Sequence, residues 1–426
     1  MKIIVVGGGW AGCAAAFSAK KQGADVKLIE RTDMLLGTGL VGGIMRNNGR
    51  FTATEELIAM SGGEIFKIID SNLLHKNIEF PGHKHASLYN VASMEPMIKR
   101  FLEESGVAVE LSTRISNVEM QENRIVAVTG KREKKELRHE ADAFIDTTGT
   151  AGPPAQCNKY GNGCAMCVLR CHSFGGRVSL AAKAGVKEMA GEKNGQVGAF
   201  SGSCKLHKES LSRQIRDRLN ADGVAVVPLG TDQKMEGKLS LKACQQYAIA
   251  EFEDNIILLD TGHAKLMSPF FPLDFLRQVK GFENARYGDP YSGGIGNSIR
   301  YIGMSPRDDA LKVTGVDNLF CAGEKAGLLV GHTEAICTGT LAGYNAVSLL
   351  RNEKPLILPR SIAIGDAIAH VREQMMDANE YGMKYTFSGS VYFERMKKLD
   401  LYSTEKGQIE NRVKRSGLDG VFHKSR

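Results

Sequence analysis

The chain opens on Ile3, Ile4, Val5 and Val6 and runs without a break into Gly7, Gly8, Gly9, Trp10, Ala11 and Gly12. Four consecutive apolar residues suit a strand of a parallel sheet covered on both faces. The G-x-G-x-x-G that follows gives each of its glycines a separate task. Gly7 allows a tight turn, Gly9 lets backbone approach a pyrophosphate, and Gly12 lets the next helix lie close to the strand. Ala14, Ala15 and Ala16 continue the run of small residues, so the helix can pack tightly with its N-terminus toward anionic phosphates. Gly23 ends this helix, Val26 to Ile29 make a second strand, and Glu30 and Arg31 follow. An acid at that point accepts the ribose hydroxyls of a dinucleotide and argues against a 2′-phosphate.

A matching signature is expected where the chain returns to the same domain. Ala143 to Asp146 read as a short strand leading into Thr147, Thr148 and Gly149. Much later, Gly315 to Asn318 make a turn, Leu319 to Cys321 a buried strand, and Ala322, Gly323 and Glu324 its exit. After Lys325 to Val330, the residues Gly331, His332, Thr333 and Glu334 open a helix carrying Ala335, Gly339, Ala342, Gly343 and Ala346. Such a helix packs closely, and its N-terminus can stabilise negative charge on a reduced flavin.

This order of segments resembles the flavoprotein family of the glucose-inhibited division protein A, which modifies the tRNA wobble uridine, and the folate- and FAD-dependent tRNA uracil-5-methyltransferase. The phrases that carry the resemblance are Val279 to Arg286, Asn318 to Glu324, Gly343 to Ala346 and Gly365 to Ile368. It implies FAD as cofactor, held by Gly7, Gly9, Trp10, Ala11, Gly12, Glu30, Arg31, Thr148, Gly149, Gly323, Glu324, Gly331, His332 and Thr333. Glu324 stands where the family usually has an aspartate. Residues 37–63 correspond to a flavin-covering loop in which relatives can carry a reactive cysteine; this stretch has none, and Arg46, Asn47, Asn48 and Arg50 are its polar candidates.

The expected fold is α/β: a Rossmann-like FAD-binding domain with an inserted α/β substrate domain and a helical C-terminal region. The 426 residues divide into a first part of the FAD domain (1–155), a cysteine-cluster and substrate domain (156–305), the FAD-domain return (306–350) and C-terminal helices (351–426). Strands are expected over 107–111, 125–129, 224–227, 248–252 and 256–259, and helices over 54–60 and 205–220.

Cys157, Cys164, Cys167 and Cys171 are spaced C-x6-C-x2-C-x3-C, with Gly161 and Gly163 loosening the loop. Soft thiolates crowded into one knuckle point to a [4Fe-4S] cluster, with zinc or reduced thiols as rivals. The family does not use such a knuckle. Cys204 loosely resembles a segment carrying a thiol used in the methyltransferase's nucleic-acid chemistry, with Lys205, His207 and Lys208 beside it; the rival reading is a buried cysteine. His83 and His85 are two apart and are expected to be a surface pair rather than metal ligands.

Lysine plus arginine outnumber aspartate plus glutamate by 55 to 48, a formal charge of +7 that is too mild to identify a nucleic-acid binder. No apolar run reaches the ~18 residues of a membrane span. The N-terminus lacks the layout of a signal peptide, so a cytoplasmic protein is expected.

The reading these features favour is an FAD-dependent oxidoreductase that couples flavin to the cluster, with Cys204, His332 and Glu334 as catalytic candidates. NAD(P)H or folate would be an exchangeable partner and a small molecule or protein the redox partner, with homo-oligomerisation open. The alternatives are a folate- and FAD-dependent RNA uracil methyltransferase and a flavin-bearing electron-transfer subunit.

Overall fold

Strand β1 (Lys2–Val6) pairs in parallel with β2 (Asp25–Ile29) on one side and with β10 (Ala143–Asp146) on the other. β6 (Ala108–Glu110) extends the sheet beyond β2, and the exit strand Leu319–Cys321 extends it beyond β10. The spatial order is therefore exit strand, β10, β1, β2, β6, all parallel. Chain direction across the sheet reverses between β1 and β10. In doubly wound sheets that reversal opens a crevice at the strands' C-terminal ends. Ile3, Ile4 and Val5 are fully buried, as expected for a strand covered on both faces.

The computed structural model describes residues 1–149, 178–193, 196–197, 199–200, 204–234, 237, 245–267, 271–288, 299–300, 303–377 and 382–423. Helix α1 (Trp10–Lys21) follows the glycine turn. A short helix α2 (Gly39–Gly42) leads to a small antiparallel sheet of β3 (Ile44–Met45), β4 (Leu73–Phe80) and β5 (His83–Tyr89). Between β3 and β4 lie α3 (Gly49–Ala59) and α4 (Glu64–Ser71). After β5, the Asn90 side chain accepts the Ala92 N–H (2.9 Å) and starts α5 (Val91–Glu104). The meander β7 (Thr113–Gln121), β8 (Arg124–Arg132) and β9 (Lys135–Glu140) precedes β10.

The second sheet has the order Cys204–Leu206, Ala264–Leu266, Asn255–Asp260, Val224–Pro228, and all its pairs are antiparallel. Period-two alternation sorts its side chains. Cys204, Leu206, Leu258, Ala264 and Leu266 face a core shared with Phe271, Leu276 and Phe282. Ile257, Leu259 and Met267 face Phe80, Leu88 and Tyr247. This second core joins the inserted sheet to β4 and β5.

Two expected elements change type. The helix expected over 205–220 begins as the strand Cys204–Leu206, and its helical part is Arg213–Asp222, because the Ser212 hydroxyl accepts the Ile215 N–H and Gly223, at φ +75°, stops it. Residues 248–252 are not a strand, since a one-turn helix, Glu251–Asp254, starts there, its N–H groups donating to the carbonyls of Ile249 and Ala250. The helix expected over 54–60 starts earlier, at Gly49.

The C-terminal helices Ala363–Gln374, Ser390–Lys398 and Lys406–Arg415 are part of the main core, which they enter through Val371, Tyr392, Met396 and Val413. Glu56 of α3, buried, accepts the N–H groups of Ala363 (2.8 Å) and Ile364 (3.1 Å) and so caps the first of them. Asp366 of that helix is paired with Arg395 and accepts the Tyr392 hydroxyl. Among the described residues, no helix is long and apolar enough to cross a membrane.

Candidate cofactor site

The crevice between β1 and β10 is built from backbone. The Thr147 hydroxyl lies 2.9 Å from the Val6 carbonyl and 2.7 Å from that of Gly7, stitching the end of β10 to the glycine turn. A Cβ on Gly7 would stand 2.4 Å from the Thr147 carbonyl oxygen, and one on Gly12 only 1.8 Å from that of Gly7. Side chains at either position would pry the turn open. Gly9 differs, because nothing lies within 4 Å of where its Cβ would be. Open space thus begins at the glycine past which a pyrophosphate must run, and in this respect the residues fit a dinucleotide.

Glu30 closes the other end of the turn. One carboxylate oxygen accepts the Gly8 N–H (2.6 Å), and the other accepts the Thr32 N–H (2.9 Å). It therefore holds the turn at the end of β2, where the sequence placed a ribose contact; Arg31 next to it is partly exposed. On the β10 side, Thr148 gives both its N–H and its hydroxyl to Asp146. The second oxygen of Asp146 accepts the Leu180 N–H (2.8 Å), so one carboxylate ties the chain before residue 150 to the chain after residue 178. Gly149, at φ +64°, has open space around its Cβ direction.

The exit strand brings the third group. The Gly323 N–H donates to the Thr338 hydroxyl (2.9 Å), and Glu324 sits partly exposed in the turn Gly323–Ala326. The return helix, His332–Leu350, then runs alongside α1 in the same direction: Gly339 lies on Ala11, and Gly343 lies on Ala15. The two positive helix ends therefore face the same side. At that end the His332 ring stands 6.4 Å from the Trp10 ring, centroid to centroid. Gly331, at φ +145°, and the Thr333 hydroxyl, near the Met45 sulfur, complete the helix start.

Glu334 is buried and spoken for. Both its oxygens accept from Arg50 Nε (3.1 Å), and one also accepts the Thr386 hydroxyl (2.7 Å) and the Phe387 N–H (2.9 Å). Among the polar candidates of α3 and its approach, Arg50 is thus used internally. Arg46 is paired with Asp70 and Glu55, which holds its guanidinium above the usual value against the opposing effect of burial. Asn47 and Asn48 place their amides on His83 Nδ1 at 3.0 and 3.3 Å.

His83 is buried, with Nε2 on the Gln246 carbonyl (3.0 Å), whereas His85, at φ +60°, bonds Asn77. The expected surface pair is therefore corrected, because the backbone of β5 breaks its alternation between the two rings. Cys204 is fully buried in the second sheet's core, close to the Tyr287 hydroxyl, whose own pKa is pushed up by burial and by that thiol.

The expectation of a flavin coupled to a [4Fe-4S] cluster is corrected, and with it the cluster as cofactor and the iron–sulfur, metal-binding and electron-transfer descriptions. Among the described residues, no group of three or more His, Cys, Asp or Glu side chains could hold a metal ion. The described cysteines Cys13, Cys204, Cys321 and Cys337 are each buried. Burial pushes the thiol of Cys321 up to about 12 and those of Cys13 and Cys337 up as well, which keeps them as thiols rather than metal-binding thiolates. Cys157, Cys164, Cys167 and Cys171 lie outside the described residues. Spacing along a sequence is a local signal, and a cluster requires thiolates to converge in space.

Comparison with known proteins agrees with the crevice. The model of the FAD dependent oxidoreductase family matches residues 2–152, and that of glucose inhibited division protein A matches residues 264–354. The tRNA uridine 5-carboxymethylaminomethyl modification enzyme MnmG of Nitratiruptor is 34% identical over 24% of this chain, a stretch spanning only 16% of that relative. The methylenetetrahydrofolate–tRNA-(uracil-5-)-methyltransferase TrmFO of Fusobacterium nucleatum is 24% identical over 90% of this chain and 91% of its own length. In structure, the chain is similar to Aquifex aeolicus GidA, with a TM-score of 0.63, 15% identity and coverage of 97% of this chain and 76% of the other. A geranylgeranyl bacteriochlorophyll reductase-like protein of Thermoplasma acidophilum has a TM-score of 0.51 at 13% identity, covering 97% and 98% of the two chains. These structural likenesses concern the fold. The sequence matches, taken with the glycine turn, Glu30 and the returning helix, support an FAD-binding protein of the GidA/TrmFO superfamily, related at low identity to MnmG and TrmFO.

Proposed function

We propose that this chain is an FAD-dependent enzyme that adds a one-carbon unit from a reduced folate to a uracil base of RNA. One observation carries the reading: a match to TrmFO runs over nine-tenths of both chains, whereas the MnmG sequence matches cover between 21% and 34% of this one. A stretch of that length must take in the inserted sheet at 204–266.

Bound in the crevice, FAD would supply hydride chemistry, with NAD(P)H as the source of the hydride. The chain's own part is to hold and orient. Gly7 to Gly12 and Glu30 would hold the adenosine diphosphate half. Gly323, Glu324 and the start of the return helix would hold the flavin half, with Thr148 and Gly149 on the wall. His332, at the helix start beside Trp10, is the proton-handling candidate. Glu334, tied to Arg50, Thr386 and Phe387, is a positioning residue for that helix start. Cys204 faces an apolar core, so its use as a covalent handle on uracil requires the second sheet to open.

The test is transfer of label from methylenetetrahydrofolate to uracil in RNA transcripts by the FAD-loaded protein with NAD(P)H. Labelled 5-methyluracil in the digested RNA supports the reading. Absence of both transfer and folate binding in protein that retains FAD overturns it.

A further inference from the structure

Lys205 and Lys265 are directly opposite each other on neighbouring antiparallel strands of the second sheet. Alternation puts their flanking residues, Cys204 and Leu206, Ala264 and Leu266, into the core, so both lysines leave the same face. Like charges in that arrangement repel, and Lys265 is only 6% exposed. Their ammonium groups converge on one target in the other domain. Lys205 Nζ donates to the Leu40 carbonyl (3.1 Å), and Lys265 Nζ donates to the carbonyls of Val41 and, at 2.8 Å, Gly42. Three successive carbonyls at the C-terminal end of α2 are thus capped by two cations, the sign that a helix end favours. Nearby His263 is pushed down to about 3, by burial first and then by Lys205 and Lys265, so it leaves the local charge to the lysines.

What α2 touches gives the clamp its meaning. Leu36, just before it, donates its N–H to the Gly8 carbonyl (2.7 Å), and the Gly39 carbonyl accepts the Tyr89 hydroxyl (2.9 Å). At the other end, Gly42 lies so close to His332 that a Cβ there would sit 1.6 Å from ring atom Cε1. His332 begins the return helix at the end it shares with α1. A line of direct contacts therefore runs from Lys265 through Gly42 to His332, from the inserted sheet to the flavin end of the cofactor site.

We propose that Lys205 and Lys265 are positioning residues of the flavin site, a two-lysine clamp on α2 that sets where His332 stands against the bound flavin. The inference rests on FAD binding and is independent of the RNA reading. The clamp lets the state of the inserted sheet reach the flavin site through α2.

The test uses the full chain loaded with FAD and reads the affinity of the bound flavin for sulfite, followed by bleaching of its visible band. Lys265→Met should keep the FAD content while changing sulfite affinity at least about fivefold, and Lys265→Arg should restore much of it. In a His332→Ala background, Lys265→Met should have little further effect, because coupled residues are non-additive. A shift of the same size in both backgrounds would mean that the lysine acts by its own charge, and no shift in either would reduce the clamp to a stability element; both results overturn the proposal. Should Lys265→Met fail to fold, Lys205→Met, which removes the bond to Leu40, is read in the same two backgrounds under the same criteria.

Discussion

Gly339 and Ala11 meet backbone to backbone: a Cβ on Gly339 would stand 2.2 Å from the Ala11 carbonyl oxygen, and Gly343 has the same relation to Ala15. The return helix and α1 can lie side by side only because both positions are glycine. Gly339→Ala gains ~1 kcal/mol of helix propensity but overpacks against backbone that cannot yield, at about 1–3 kcal/mol. Gly339→Val should be worse than Gly339→Ala, and both should lower the melting temperature and the fraction of chain that retains FAD. Gly407→Ala, at an exposed position of the last helix with nothing within 4 Å, is the control and should not destabilise.

Glu30 holds the Gly8 and Thr32 N–H groups, and the proposed reading gives it the ribose hydroxyls as well. Hydrogen bonds to a charged group contribute roughly 1.5–3 kcal/mol each. Glu30→Ala should therefore weaken FAD binding by one order of magnitude or more, measured from the fluorescence of released flavin. Unchanged affinity would show that the acid serves only the turn.

Arg50 and Glu334 form a buried pair. Removing one partner leaves an uncompensated buried charge, a loss of about 3–5 kcal/mol. Arg50→Met should show this in urea unfolding, and the double variant Arg50→Met/Glu334→Met should recover part of it. Recovery is the critical result, because a simple loss of packing would add rather than cancel.

Glu56 is raised to about 7, chiefly by burial against the opposing effect of the Ala363 and Ile364 N–H groups and Arg412. The native state then holds a proton that the unfolded state has released above the ordinary carboxylate value. Stability should fall as pH rises from the ordinary glutamate range, near 4.5, through 7, by up to about 3 kcal/mol. Glu56→Gln should flatten that slope. The measurement is urea unfolding at intervals between pH 5 and 8, and a slope unchanged in the variant would assign the dependence to other groups.

The nucleotide crevice was legible because its signals are steric and local. A glycine at positions 7 and 12 is required by backbone packed against backbone, and Glu30 follows at the end of the next strand wherever that turn is used. The inserted sheet was legible in part. Residues 224–227 and 256–259 read as strands from their apolar runs, but 205–220 was misread because Leu206 and Leu211 suit a helical face as well as a strand and its turn. Thr147, Asp146 and Lys265 escaped notice as site residues, and Lys205 was read only as positive charge beside Cys204. Each acts on a backbone group far away in sequence, and no motif marks such a bond. The alternation around Lys205 and Lys265, polar between apolar neighbours, was the one available hint.

The family resemblance pointed to FAD as the dinucleotide, and the sequence by itself determined that a dinucleotide turn opens the chain and that the chain returns to it through a glycine-lined helix. Those follow from residue sizes at fixed spacing, which neighbouring backbone reads directly. Only the tertiary structure decided that Glu334 is committed to Arg50, that the C-terminal helices belong to the main core, and that two lysines of the inserted sheet grip the loop against His332. Partnerships between distant charges depend on which faces the packed core leaves turned toward each other, and that is fixed only when the whole chain has folded.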